Sequence, residues 1–108
     1  MLELTKENFD AEVIGVDGLV VVDFWSEKCE PCLAIMPDIA ALAEEFKDRA
    51  KFTKLNTAGN KRLAIAQKVM GVPAVLFYKN GEKVGALNQE EIANGGISLI
   101  KSTLLGYL

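Results

Sequence analysis

The run Leu19-Val20-Val21-Val22 is followed within ten residues by a pair of cysteines, and this succession constrains the chain more than any other feature. Three consecutive β-branched residues fit a strand buried on both faces, where polar and apolar residues need not alternate. Asp23 interrupts the run, and Phe24 and Trp25 resume it. A short polar turn, Ser26-Glu27-Lys28, leads to Cys29-Glu30-Pro31-Cys32. Beyond Pro31 the period changes: Ile35, Met36, Ile39, Leu42, Ala43 and Phe46 recur at helical spacing. A core strand therefore delivers a Cys-x-x-Cys pair to the start of a helix. Pro31 suits a first helical turn, because its missing N–H would have no partner there anyway.

That placement has chemical consequences. Unpaired backbone N–H groups and the helix dipole converge on a helix N-terminus and favour an anion. A thiol there loses its proton more readily, and the thiolate is the reactive form. With two residues between them, the cysteines can meet across one turn. One can attack a substrate disulfide, and the other can resolve the mixed disulfide. A zinc site normally needs four ligands, whereas this chain has two cysteines and no histidine, so a metal would have to be shared between two chains. A purely structural disulfide across so short a loop would add little stability.

The residues Val22-Asp23-Phe24-Trp25, then Cys29-Glu30-Pro31-Cys32, then Pro37, resemble the active-site region of thioredoxins. The resemblance continues through Lys54-Leu55-Asn56, Gly71-Val72-Pro73, Lys79-Asn80-Gly81-Glu82 and Val84-Gly85-Ala86. It covers residues 2 to 88 in the family's order. It implies an α/β fold, with a central mixed sheet of about five strands flanked by about four helices. It also implies that Cys29 is the attacking thiolate and Cys32 the buried resolving thiol.

Other residues take roles from the same resemblance, each beside a plainer reading. Asp23 would be a buried acid that exchanges a proton with Cys32; otherwise it is a sheet residue that reaches water at the strand end. Lys54 would lie near that acid, or be an ordinary surface lysine. Only about 5–6% of X–Pro bonds in folded proteins are cis, so Pro73 could be a trans proline opening a strand; the Gly-Val-Pro context of the family implies cis. Val72 would offer its backbone to an extended substrate segment. Trp25, which could equally be a core residue, would complete a shallow docking surface with the Val84-Gly85-Ala86 turn. Lys28 and Glu30, where thioredoxins usually carry Trp and Gly, flank Cys29 and with Pro31 would tune it. Leu33 and Ala74 replace the Lys and Thr often found there. The redox machinery is kept while the rim that partners touch is altered.

At 108 residues the chain reads as a single domain with one core. A net charge of −3 without basic clusters gives no support to nucleic-acid or anionic-membrane binding. The N-terminus lacks the basic and long apolar regions of a secretory signal, and nothing approaches the ~20 apolar residues of a membrane span. We read the chain as cytoplasmic and monomeric, with no bound cofactor beyond a redox-active Cys29–Cys32 disulfide. In a reducing cytosol a close cysteine pair is more often redox-active or metal-binding than structural.

Along the chain, Leu2 to Leu4 reads as a short edge strand. Thr5 is a helix N-cap, with Phe9, Val13 and Ile14 facing inward as far as Ile14. Strands are expected over Leu19–Trp25, Phe52–Asn56, Val75–Tyr78 and Lys83–Leu87, the last two joined at Asn80-Gly81. This hairpin is shorter than in most thioredoxins. The long helix should run from Pro31 to Phe46 or Lys47, kinked at Pro37. A short helix over Lys61–Lys68 offers Leu63, Ile65, Ala66 and Val69 for burial. Asn88 and Glu91 form a capping box, yet Asn94-Gly95-Gly96 disfavours a helix, so the main final helix should start after Asn94.

The implied activity is reduction of partner-protein disulfides, with a thioredoxin reductase restoring the dithiol. The CEPC motif, the clipped hairpin and the run at residues 61–71 resemble thioredoxins that serve glycine reductase in amino-acid-fermenting anaerobes. The reading of another class is a partner-binding module that keeps the fold without redox turnover.

Overall fold

A computed structural model describes all residues, 1–108. Five strands form one sheet in the order β1-β3-β2-β4-β5. They are β1 (Leu2–Leu4), β2 (Leu19–Trp25), β3 (Ala50–Asn56), β4 (Ala74–Lys79) and β5 (Glu82–Leu87). β1 and β2 run parallel to β3, while β4 and β5 are antiparallel to their neighbours. The sheet is therefore mixed, as the sequence implies. The helices are α1 (Glu30–Glu45), α2 (Lys61–Ala66) and α3 (Gln89–Leu105), with a wide π-type turn over Asp10–Ile14.

β2 is the middle strand, and its unbroken apolar run is accounted for by cover on both faces. Leu19 and Val21 pack with Ile39 and Leu42 of α1, with its C-cap Phe46, and with Ile92, Ile100 and Leu104 of α3. Val20, Val22 and Phe24 pack on the opposite face with Phe9, Val13, Leu55, Ala64 and Tyr78. All four of Val20, Val21, Val22 and Phe24 are completely buried. Each such side chain is worth roughly 1.5–3 kcal/mol on transfer from water. By alternation Asp23 falls on the α1/α3 face, in line with Leu19 and Val21.

Several boundaries differ from expectation for identifiable reasons. The segment after Thr5 is not a regular helix. Thr5 Oγ1 accepts from the Glu7 N–H at 3.2 Å, but the chain then widens into a π-type turn in which the Gly15 N–H donates to Asp10 O at 2.8 Å. Phe9 and Val13 point inward, whereas Ile14 is 42% exposed. In α2 the buried residue is Ala64, with Val69 just beyond it. Ile65 and Ala66 lie on the solvent side of the helix, which ends at Ala66, short of the expected Lys68. α1 starts at Glu30 with Cys29 as its N-cap and continues through Pro37.

The final helix starts earlier than expected. Asn88 Oδ1 accepts from the Glu91 N–H at 2.8 Å, and Glu91 Oε1 accepts from the Asn88 N–H at 3.0 Å. This reciprocal cap starts α3 at Gln89 in spite of the glycines that follow. The glycines act further on: Gly96, at φ 60° and ψ −154°, breaks α3 into two legs.

The β4–β5 connection is as tight as a hairpin allows. Asn80 and Gly81 both have positive φ, 52° and 84°, as a two-residue type I′ turn requires. Asn80 also ties the turn to the start of β2, its Oδ1 accepting from the Gly18 N–H at 2.8 Å. A Cβ on Gly81 would lie 2.4 Å from the carbonyl oxygen of Ile14, a backbone atom that cannot rotate away. Gly81→Ala should therefore lower unfolding stability by about 1–3 kcal/mol. Guanidinium denaturation checks this, and a variant within error of wild type would show that the turn yields without cost.

Candidate active site

The cysteine pair sits where β2 hands over to α1. The Cys29 N–H donates to Ser26 O at 3.2 Å, closing the polar turn, and Cys29 then caps the helix. Its Sγ accepts from the Cys32 backbone N–H at 3.2 Å. The sulfur thus lies in the cluster of unpaired N–H groups that begins every helix, where negative charge is favoured. The two sulfurs are at disulfide distance, with Cα atoms 5.2 Å apart. Cys29 is half-buried and Cys32 is only 1% exposed. This asymmetry leaves one sulfur open to a large partner and shields the other. Lys28, Glu30 and Pro31 are exposed around them.

Asp23 is 1% exposed, so it does not reach water at the strand end. Neither carboxyl oxygen has a hydrogen-bond partner within the chain. Burial pushes its pKa up to about 7, against a smaller downward pull from Lys54 and an upward push from Glu3. The first cause is the expected one, since a carboxylate loses its hydration in an apolar interior. Lys54 stands beside Asp23 in the β2–β3 register. Its ammonium, however, lies 3.7 Å from Glu3 Oε1 and 5.3 Å from the centroid of the Trp25 ring. Trp25 is half-buried, with its indole N–H enclosed and unpartnered.

The Val72–Pro73 peptide bond is cis. Pro73 is buried and lines a groove together with Pro31, Ala34 and Ile35 of α1, next to the cysteine turn. The backbone N–H and C=O of Val72 make no hydrogen bond within the chain. Trp25 closes β2, and Val72 and Pro73 immediately precede β4, which pairs with β2.

Val84, Gly85 and Ala86 belong to the next strand, and Ala86 lines a cavity with Gly71, Ala74 and Gln89. They lie inside β5 rather than in a turn, with Gly85 opposite Phe77 and Ala86 opposite Leu76. Gly85 is covered by Tyr107, whose hydroxyl donates to Val84 O at 3.0 Å. The two-residue Asn80-Gly81 turn, with a bulge between Phe77 and Tyr78, sets this register. The place nearer Pro73 is taken by Gln89, which lines the groove shared by Pro31 and Pro73 and also approaches Gly71. Met70, beside Gly71, is 87% exposed and is not marked by the motifs. Counting residues from the Asn80-Gly81 turn along β5 would have found Gln89; an isolated exposed methionine carries no sequence signal.

The burial of Asp23 fixes the sign of a pH effect. A folded pKa near 7 exceeds the ordinary aspartate value of 3.8, so the favourable contribution is complete below about pH 4. It declines as pH rises towards 7 and is lost above. Asp23→Ala should therefore match wild-type stability near pH 4 and exceed it by roughly 2–4 kcal/mol at pH 8. Denaturant midpoints measured across that range test this; a less stable variant at pH 8 rules out an unpaired buried acid.

Comparison with known proteins agrees with the geometry. A family model described as thioredoxin matches residues 1–101. The thioredoxin of Acetoanaerobium sticklandii is 47% identical over 91 residues, covering 84% of this chain and 87% of the relative. That of Peptoclostridium acidaminophilum is 37% identical over 106 residues, covering 98% and 96%. That of Pseudomonas aeruginosa is 33% identical over 97 residues, covering 86% and 90%. With its cysteine pair at the head of α1, the chain belongs to the thioredoxin family and is a thiol–disulfide oxidoreductase of the protein-disulfide reductase type.

Proposed function

We propose that Cys29 is the attacking thiolate, Cys32 the resolving thiol and Asp23 the group that exchanges a proton with Cys32. The observation that carries this reading is the asymmetry of the pair, Cys29 half-buried and Cys32 1% exposed. Cys29 thiolate attacks one sulfur of a partner disulfide, forming a mixed disulfide and expelling the partner's other thiolate. Cys32 gives its proton to the Asp23 carboxylate and attacks Cys29 Sγ. The S–S bond to the partner breaks, the partner leaves reduced, and Cys29–Cys32 is the new disulfide. Two electrons and two protons from a thioredoxin reductase restore the dithiol.

The partner's extended segment pairs with the free N–H and C=O of Val72, and Trp25, Pro73, Gln89 and Met70 form the rim. Lys28 and Glu30 act on Cys29 as opposed charges, the ammonium favouring the thiolate and the carboxylate disfavouring it. Both are exposed, so water screens them, and the helix N-terminus, whose first turn Pro31 fixes, outweighs them. Lys54 biases Asp23 towards its charged form. The protein acts as a cytoplasmic monomer. Its altered rim, with Leu33 46% exposed, supports service to a dedicated acceptor such as glycine reductase rather than to disulfides in general. Reduction rates with a panel of reductases and acceptors decide between general and dedicated use.

Insulin reduction by dithiothreitol, with and without the protein, separates a reductase from a binding module, since only turnover accelerates precipitation. Cys32→Ser should accumulate a stable mixed disulfide through Cys29, visible by mass spectrometry. The same adduct in Cys29→Ser would reverse the roles. Gln89→Ala should raise KM for a disulfide partner about threefold to tenfold, the loss expected for one hydrogen bond, with kcat little changed. Val84→Ala should leave KM unchanged. The opposite ranking would return the docking role to the β5 motif.

A further inference from the structure

One charged residue of the site has no part in the chemistry above. Glu3 of β1, Lys54 of β3 and Asp23 of β2 stand side by side in register on the α1/α3 face. Neighbouring strands lie about 4.8 Å apart, so Lys54 arises midway between two acids. Its ammonium turns to Glu3 at 3.7 Å and lies 5.3 Å from the centre of the Trp25 ring. Asp23 accepts no hydrogen bond from it or from any other group of the chain. Glu3 is itself held: its Oε2 accepts from the Asn56 N–H at 3.2 Å, and its carbonyl accepts from Asn8 Nδ2 at 3.3 Å.

We propose that Glu3 is a positioning residue: its carboxylate holds the Lys54 ammonium at the sheet edge and so leaves Asp23 without an ion-pair partner. The two acids compete for one cation on unequal terms. The Glu3 side chain is 43% exposed, so an ammonium paired there keeps part of its hydration. Asp23 is 1% exposed, and pairing there would draw the ammonium out of water. That desolvation opposes the Coulombic gain. Trp25 adds to the edge position, since its ring face attracts a cation. The charges that face Asp23 are Lys54 from β3 and Glu3 from β1. β4 contributes Val75 opposite it, and α1, which covers this face, contributes the titratable Cys32. An aspartate tightly paired with lysine would remain a carboxylate at all working pH and hold no proton. Left unpaired, it can take up and give back a proton near neutrality. The effect on rate rests on Asp23 exchanging a proton with Cys32; the positioning itself does not.

The test is a carbon-13 NMR titration of the Asp23 carboxyl in the oxidised protein, where the cysteines do not titrate. It compares wild type with Glu3→Gln, Lys54→Met and the double variant. Glutamine keeps an acceptor for the Asn56 N–H and removes only the charge. Glu3→Gln should lower the Asp23 midpoint by about one unit as Lys54 swings inward. Lys54→Met should raise it. In the Lys54→Met background, Glu3→Gln should have a clearly smaller effect than in wild type. An unmoved midpoint in Glu3→Gln overturns the proposal, and so does an equal shift with and without Lys54. The pH profile of partner release in Glu3→Gln separates the two readings. A shifted titration with an unshifted profile supports Glu3 as the positioning residue and removes Asp23 from the release step.

Discussion

The burial of β2 on both faces is the constraint on which the rest depends. A strand without a solvent face needs a layer on each side, and the chain supplies α1 and α3 on one and the N-terminal turn with α2 on the other. It also needs neighbours on both edges, which are β3 and β4. Since the strand has no edge or face in water, its C-terminal end is where a reactive group can emerge on a rigid base. The cysteine pair emerges there, and α1 starts there. Rigidity and reactivity share one origin: the strand fixes the position of Cys29, and the helix it leads into supplies the N–H groups around the sulfur.

The same burial encloses Asp23. A carboxyl in the most buried strand of a domain is unfavourable when charged, and here it has no hydrogen-bonding compensation. The natural remedy would be the adjacent lysine, one strand away in register. That lysine instead lies at the wet edge, paired with Glu3 and set against Trp25. The sheet thus grades charge from the exposed β1 to the buried β2. The acid at its inner end is kept in a state that a stability argument alone would not choose, as is common where a fold carries chemistry.

The hairpin shows how a small change in length redirects a surface. In a β-hairpin, register is set by the turn, so a shorter loop slides every later residue along its partner. A type I′ turn at Asn80-Gly81, with a bulge between Phe77 and Tyr78, brings Gly85 and Ala86 opposite Phe77 and Leu76. Tyr107 then covers Gly85, and the first turn of α3 presents Gln89 near Pro73.

What the sequence determined by itself was whatever local pattern controls. The span of β2, the Asn80-Gly81 turn and the Asn88–Glu91 cap were all legible. Each rests on a few neighbouring residues whose backbone preferences agree. The cysteine pair and its helix were legible for the same reason. Tertiary structure alone decided the rest. Ile14 and Ile65 look like core residues by composition and face solvent, because their elements turn Val13 and Ala64 inward instead. The break in α3 fell at Gly96 rather than before it, since the cap at Asn88 outweighs the glycines for the first two turns. Above all, the direction of the Lys54 ammonium depends on three strands distant in sequence coming into register. No local rule relates Glu3 to residue 54, because their interaction exists only once the sheet has formed.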